Sequence, residues 1–338
     1  MAKQILALAA LIIVFGVSSP SANADSPFPF AADALRNQNS NRCLSLVGNG
    51  TSNGTKSNQW TCNGAPSQRW AFQPVGPRAS TFESQKFQIR STHPGTTDKC
   101  LSLDQREGYG NGSHFLLWTC RGDHPAQAFY LWTHDSGSYN VILAASSRCL
   151  GVDYSDTGNT YGGINQWNCV NAVSQRWKLT SQEQFRMPLR GSGVNYGLHG
   201  PPYDNPWATD LFSGTRVEVA IGGIVRRAGR ICGNGVRIED SLGFNHLYCH
   251  GDRPTGLREG SYVAAGTYIF NKGNTGTGVA HLHYEVMWRP PGVSTSNFST
   301  STGYVPYCAT SILHRVRLGS AVPSQRRSVG FNCGDGPF

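Results

Sequence analysis

Charge is scarce in this sequence: Asp, Glu, Lys and Arg make up 14% of 338 residues, and the 20 acids are outnumbered by 29 Lys and Arg. Scattered acids with no shared motif exclude a glycosidase built on paired carboxylates. No Cys-x-x-C occurs, which excludes a cysteine-based zinc site or a thioredoxin-type centre. No His-Glu-x-x-His occurs, so a helix-borne metallopeptidase site is excluded too. The basic residues form no run interleaved with aromatics, so nucleic acid is not an expected partner. Apolar stretches of the ~20 residues needed to span a bilayer are missing; the apolar run from Ile5 to Val17 is shorter than that.

What is present begins with that run. Lys3 precedes it, and Ala22-Asn23-Ala24 follows it. A basic start, a short apolar core and a small-x-small site are expected to be a secretory signal over 1–24, cleaved near Ala24. The expected product is extracellular, without a membrane span and monomeric. The formal charge of +9 falls to about +8 without Lys3, which suits an anionic polymer as partner. Ten cysteines, none in the signal, predict disulfides. Abundant Gly, Ser, Thr, Asn and aromatics predict an all-β chain of strands and turns.

The stretch 37–181 repeats itself three times. Arg42-Cys43-Leu44, Lys99-Cys100-Leu101 and Arg148-Cys149-Leu150 open the copies. Trp60-Thr61-Cys62, Trp118-Thr119-Cys120 and Trp167-Asn168-Cys169 follow, and Gln68-Arg69-Trp70, Gln127-Ala128-Phe129 and Gln175-Arg176-Trp177 close them. One unit used three times buries its apolar face against its copies. Local pairing is expected: Cys43 with Cys62, Cys100 with Cys120, Cys149 with Cys169. In this order these motifs resemble ricin B-type lectin domains, which implies a β-trefoil. The resemblance also implies an Asp two residues after each first Cys for sugar binding, where this chain has Ser45, Ser102 and Gly151. Carbohydrate contact is therefore expected to rest on Trp60, Trp118 and Trp167, where a sugar's apolar face would stack. Asp104 and Asp153 are either stand-ins for the missing Asp or turn residues. The closing Trp70, Phe129 and Trp177 are assigned to the core.

Beyond Met187 the repeats stop and histidines gather, five of them between His199 and His283. His281-Leu282-His283 follows a Gly-rich turn, and side chains two apart on a strand share a face. His250 ends the run Leu247-Tyr248-Cys249, with His246 as a rival four residues earlier. Leu198-His199-Gly200 and Asp210, followed by Gly214-Thr215-Arg216-Val217, lie upstream. Together these segments resemble the lysostaphin-like and β-lytic zinc metallopeptidases, over about 100 residues. The resemblance implies an antiparallel β-sheet peptidase domain over 187–290 and one Zn2+ per chain on His199, Asp210 and His283. It makes His250 and His281 the catalytic flank. Asp204 is a rival carboxylate lacking the Gly-Thr that follows Asp210. The final stretch, 291–338, is expected to be a basic extension.

Of the remaining cysteines, Cys232 and Cys249 lie nearly equidistant from a turn near Ser241-Leu242-Gly243, so a cross-hairpin bridge between them is favoured. Cys308 and Cys333 would then staple the tail, although four cysteines allow three connectivities. The function implied is a secreted zinc endopeptidase that cuts Gly-rich or cross-linking peptides in bacterial peptidoglycan. Elastin-like proteins are a second substrate class, and a lectin carrying an inactive peptidase fold is the rival from another class.

Overall fold

The computed structural model describes residues 32–189 and 208–313, apart from 135–137, 154, 155, 157, 162, 182, 183, 230, 254, 255, 297, 308, 310 and 311. His199, Asp204, Cys308, Cys333 and the expected signal lie outside the described residues. The named elements are strands and short 3-10 turns.

The front half is a β-trefoil. Its first repeat holds β1 (Leu35–Asn37), β2 (Cys43–Leu46), β3 (Ser57–Trp60) and β4 (Trp70–Val75). The second holds β5 (Lys86–Ser91), β6 (Lys99–Leu103), β7 (Phe115–Thr119) and β8 (Phe129–Thr133). The third holds β9 (Tyr139–Leu143), β10 (Arg148–Val152), β11 (Thr160–Tyr161), β12 (Ile164–Asn168) and β13 (Trp177–Leu179). The three local disulfides form as expected.

The closing motif does the same job in each copy. Gln68 donates to Thr61 O at 2.8 Å and accepts from Asn63 N at 3.1 Å, so its amide brackets Cys62. Gln127 brackets Cys120 through Thr119 O and Arg121 N at 3.0 and 2.9 Å. Gln175 brackets Cys169 through Asn168 O and Val170 N at 2.8 and 3.0 Å. A buried amide satisfied at both ends fixes the turn that the disulfide closes. Trp70, Phe129 and Trp177 then fill the shared core, fully buried. The indole N–H groups of Trp70 and Trp177 donate to Leu44 O and Leu150 O at 3.2 and 2.9 Å.

The repeats also lock into a ring through asparagines of their Gly-rich turns. Asn53 reaches Thr119 at 3.0 Å, from the first repeat to the second. Asn111 accepts from Asn168 N at 3.0 Å, from the second to the third. Asn159 accepts from Thr61 N at 2.8 Å, which returns to the first.

The second half is built on an antiparallel sheet. Its strands are β14 (Thr209–Leu211), β15 (Arg216–Glu218), β16 (Gly223–Gly229), β17 (Gly235–Glu239), β18 (Phe244–Cys249), β19 (Tyr262–Val263), β20 (Tyr268–Asn271), β21 (Leu282–Trp288) and β22 (Val305–Tyr307). The order is β14-β21-β18-β17-β16-β19, with β22 also pairing with β21, while β15 and β20 form a separate ribbon. Alternation gives the sheet two chemically different faces. Val236, Ile238, His246, Tyr248, Tyr284, Val286 and Trp288 point into the core. Asp210, Cys249, His283 and Glu285 share the opposite face, because Asp210 and Cys249 both sit opposite His283 in register.

The two halves are not beads on a string. Phe82, in the connection between β4 and β5, is fully buried. Its ring lies 5.3 Å from Phe87, 5.1 Å from Phe244 and 6.0 Å from Trp288. One apolar cluster therefore runs through both halves. The buried carboxylate of Asp33 adds a polar tie, accepting from Thr180 Oγ1 at 2.8 Å, Ser181 N at 3.0 Å and, across the boundary, Ser241 Oγ at 3.0 Å. The repeats alone gave no sign of this contact. A chain starting near Met187 would uncover Phe244 and Trp288.

Phe82→Ala is therefore expected to lower stability by about 3–5 kcal/mol, the usual cost of truncating a buried Phe. Denaturant titration should show both halves unfolding in one transition. Two separated transitions in the parent chain would show that the shared cluster does not couple them.

Candidate metal centre

Four polar side chains converge at one end of the site face. Cross-strand pairing sets Asp210 opposite His283, and Asp210 Oδ1 lies 3.1 Å from His283 Nδ1. His281, two residues before His283, brings its Nε2 to 3.5 Å from Asp210 Oδ2. One ring nitrogen each of His250, His281 and His283 lie within 4.8 Å of one another. The His250 ring centroid is 4.7 Å from that of His281 and 5.8 Å from that of His283. Phe212 stacks on His281 at 5.5 Å and is 38% exposed, so it forms part of the rim.

Backbone carbonyls only accept hydrogen bonds, so they place a proton on Nδ1 of two of the rings. His250 donates Nδ1–H to Thr275 O at 2.9 Å, which leaves Nε2 bare. His281 donates Nδ1–H to Val279 O at 2.8 Å, which leaves its Nε2 bare beside Asp210. His283 is oriented from the other side: Glu285 accepts from Nε2 at 2.8 Å and turns Nδ1 toward Asp210. Sequence reading missed Glu285. Its signal was plain, since it lies two residues past His283 on the same strand face.

These atoms suit a cation. The Nδ1 proton of His281 is engaged by Val279 O, and its Nε2 lies 3.5 Å from a carboxylate oxygen, a spacing that two ligands of one ion can adopt. A carboxylate and imidazole nitrogens form a donor set suited to zinc, and the carboxylate–histidine pair at Glu285 is the support such a ligand needs. Titration agrees. Burial works to keep His283 neutral, but its hydrogen bonds to Asp210 and Glu285 prevail and push its pKa up to about 9. Flanked by two carboxylates, the site takes a proton where it lacks a metal. That folded-state value lies above the histidine norm of about 6.5. The proton therefore stabilises the metal-free fold fully below that norm, and the contribution fades as pH rises through about 9. His250 moves the other way. Burial lowers its pKa, and the neighbouring His281 and His283 add to the effect.

His250 reaches this face through an unusual backbone. Its φ is +66°, a left-handed conformation rare outside glycine. In an extended strand it would follow His246 and Tyr248 onto the core face. His246 stays there, buried, with Nδ1 2.7 Å from Tyr284 Oη and Nε2 3.6 Å from Asp240 Oδ2. The alternation that put His246 and His250 on one face thus fails at the last residue. The left-handed turn separates them.

In the trefoil the three platform residues are unequal. Trp118 and Trp167 are 37% and 47% exposed, whereas Trp60 is half-buried. Asp104 is engaged: it accepts from Arg106 Nε at 2.8 Å and caps the following turn, so it acts as a turn residue. At Gly151 an added Cβ would crowd Gln175 and the Ser174 carbonyl at 3.3 and 3.4 Å, which leaves little room for the Asp usual in sugar-binding relatives. Trp132, 63% exposed, was not singled out by the repeat pattern.

The family model for the ricin-type beta-trefoil lectin domain matches residues 31–177, and that for Peptidase family M23 matches residues 208–295. No curated protein matches the chain. Among solved structures, a designed threefold-symmetric protein, ThreeFoil, is 20% identical, with 44% of this chain and 96% of that one covered and a TM-score of 0.38. An exo-beta-1,3-galactanase from Clostridium thermocellum is 22% identical, with 44% and 30% covered and a TM-score of 0.36. The Rhizoctonia solani agglutinin is 16% identical, with 46% and 98% covered and a TM-score of 0.37. The chain thus pairs a stretch that matches a ricin-type trefoil with one that matches Peptidase family M23.

A divalent cation that ligates His283 has to displace its proton. Zinc affinity is expected to rise about tenfold per pH unit from pH 7 and to level off near 9. Calorimetry in buffers of different ionisation enthalpy should find about one proton released per ion near pH 8. Release of no proton there would show that the ion does not use His283.

Proposed function

We propose that the chain is a secreted zinc metalloendopeptidase that hydrolyses peptide bonds in bacterial peptidoglycan, with the trefoil as an accessory module for the wall polymer. The observation that carries this reading is the convergence of Asp210, His250, His281 and His283 at the rim of a sheet that matches a peptidase family.

In this reading Asp210 and His283 hold the metal together with His199, which lies outside the described residues. Two histidines and a carboxylate leave one position for water. If Asp210 and all three converging histidines were ligands, the tetrahedral shell would be full. The resemblance to the lysostaphin-like and β-lytic metallopeptidases assigns His250 and His281 to the reaction rather than to the ion. Bound there, zinc supplies Lewis-acid polarisation of the scissile carbonyl and a water acidified toward neutrality.

The remaining work falls to the protein. His281 and His250 each present a bare Nε2 to the site, held by a backbone carbonyl at the far nitrogen. One accepts the proton from the attacking water, and the same proton can pass to the amine that leaves. The other can steady the oxygen that gains charge once its own Nε2 carries a proton. Burial keeps His250 neutral, so it is ready to accept a proton. Phe212 packs on His281 and limits its rotation.

The substrate assignment rests on charge and architecture. A protein with formal charge +9 is drawn to an anionic wall. The exposed Trp118 and Trp167 offer stacking faces for its sugars. An extracellular site fits the four disulfides found among the described residues.

Incubation with purified peptidoglycan should release new free amines and no new reducing sugars, and a chelator should stop the release. New reducing ends, or no product at all, would remove the endopeptidase reading. His281→Ala is expected to retain one zinc per chain and to lose turnover by about 10²–10⁴-fold. Loss of the metal in that variant would instead make His281 a ligand, in line with the three clustered histidines.

A further inference from the structure

The left-handed turn at His250 has a covalent anchor. Cys249, the residue before it, faces the site side of the sheet opposite His283 and is bonded to Cys232. Cys232 belongs to the tight turn between β16 and β17, where Gly235 N donates to Ile231 O at 2.7 Å. That turn carries left-handed backbone at Cys232, Gly233 and Asn234.

The turn touches everything that orients His250. The carbonyl of Cys232 accepts from His250 N at 3.0 Å. Asn234 donates to Gly251 O at 3.4 Å, one residue further on. Gly233 packs so tightly on Thr275 that an added Cβ would overlap its carbonyl. That carbonyl is the acceptor that fixes the His250 ring. The turn therefore holds His250 at its amide, at its following residue and through its ring partner. The disulfide is the covalent link between this turn and the end of β18.

We propose that the Cys232–Cys249 disulfide is a positioning element for His250, fixing the left-handed turn that carries its ring from the core face to the site face. The proposal deepens the reading of His250 as a catalytic group and rests on that reading for its effect on turnover. The three trefoil disulfides close loops in the front half and have no such role.

The test compares the full chain with the double variant Cys232→Ser/Cys249→Ser, with zinc loaded in both. The expected result is a kcat reduced at least tenfold with KM within about twofold, since a misplacement near 1 Å can cost about 10²-fold. Zinc content should remain at one per chain. Adding His250→Ala to the double variant should cost much less than it does in the parent, whereas adding His281→Ala should cost its full amount. The imidazole 15N–1H signals of His250 should shift on loss of the bond, and those of His246 should not. Unchanged His250 signals in a folded double variant overturn the proposal, as does a His250→Ala loss that is fully additive. The nuclear resonance arm is independent of turnover: if the parent chain cuts no peptide, the endopeptidase reading falls and the His250 signals still decide the positioning claim. Should the double variant not fold, Gly233→Ala keeps the disulfide and disturbs the same contact; it is expected to lower kcat and leave KM, and an unchanged kcat counts against the proposal.

Discussion

A carboxylate cut off from most of its water must find positive charge or donors nearby. Asp210 is 8% exposed and meets this demand across the β14–β21 ladder, with the His283 ring directly opposite. The rest of the site follows from that constraint. Glu285 adds a second acidic group behind His283 and raises the proton affinity of the ring. The turn before His281 supplies the carbonyls that aim the other two rings. The surroundings of Asp210 thus favour a cation, first a proton and then a metal.

Some of this was legible in the sequence and some was not. The His281-x-His283 pair could be read because strand alternation is a local rule and the flanking Gly-rich turn marks where the strand begins; the tie to Asp210 was implied only by the resemblance to the zinc metallopeptidases. The same rule misled at His250. A single residue with φ at +66° sends the ring to the opposite face from His246, and nothing in Tyr248-Cys249-His250 announces that turn. The trefoil was legible for another reason, since three copies of one pattern make each position its own control. What the pattern withheld was the task of the conserved-looking Gln in each copy, which brackets the second cysteine with a donor and an acceptor. Phe82 carried no signal at all. It sits in the mostly polar stretch from Arg78 to Lys86, and its partners Phe244 and Trp288 are more than 150 residues away.

Symmetry in the trefoil ends at its surface. The core repeats faithfully, down to paired indole-to-carbonyl hydrogen bonds in the first and third copies. The outward positions diverge. Trp60 is half-buried while Trp118 and Trp167 are open, Asp104 is tied up by Arg106, and Gly151 leaves little room for a longer side chain. The fold demands only the interior pattern, so the three outer sites are free to differ in what they hold and how well.

The buried Phe82 contact has a consequence for movement. A module joined by a loose tether lets its enzyme sweep a radius around each point of attachment. Here the trefoil and the second half share one apolar cluster, so under the proposed function that radius vanishes and attachment would set the heading of the metal centre as well as its distance. Such a molecule works like a stamp rather than a ball on a chain. Acting as proposed, it would cut within one footprint and have to lift off and land again to reach the next, so brief and shallow contacts from the trefoil would serve it better than a firm grip.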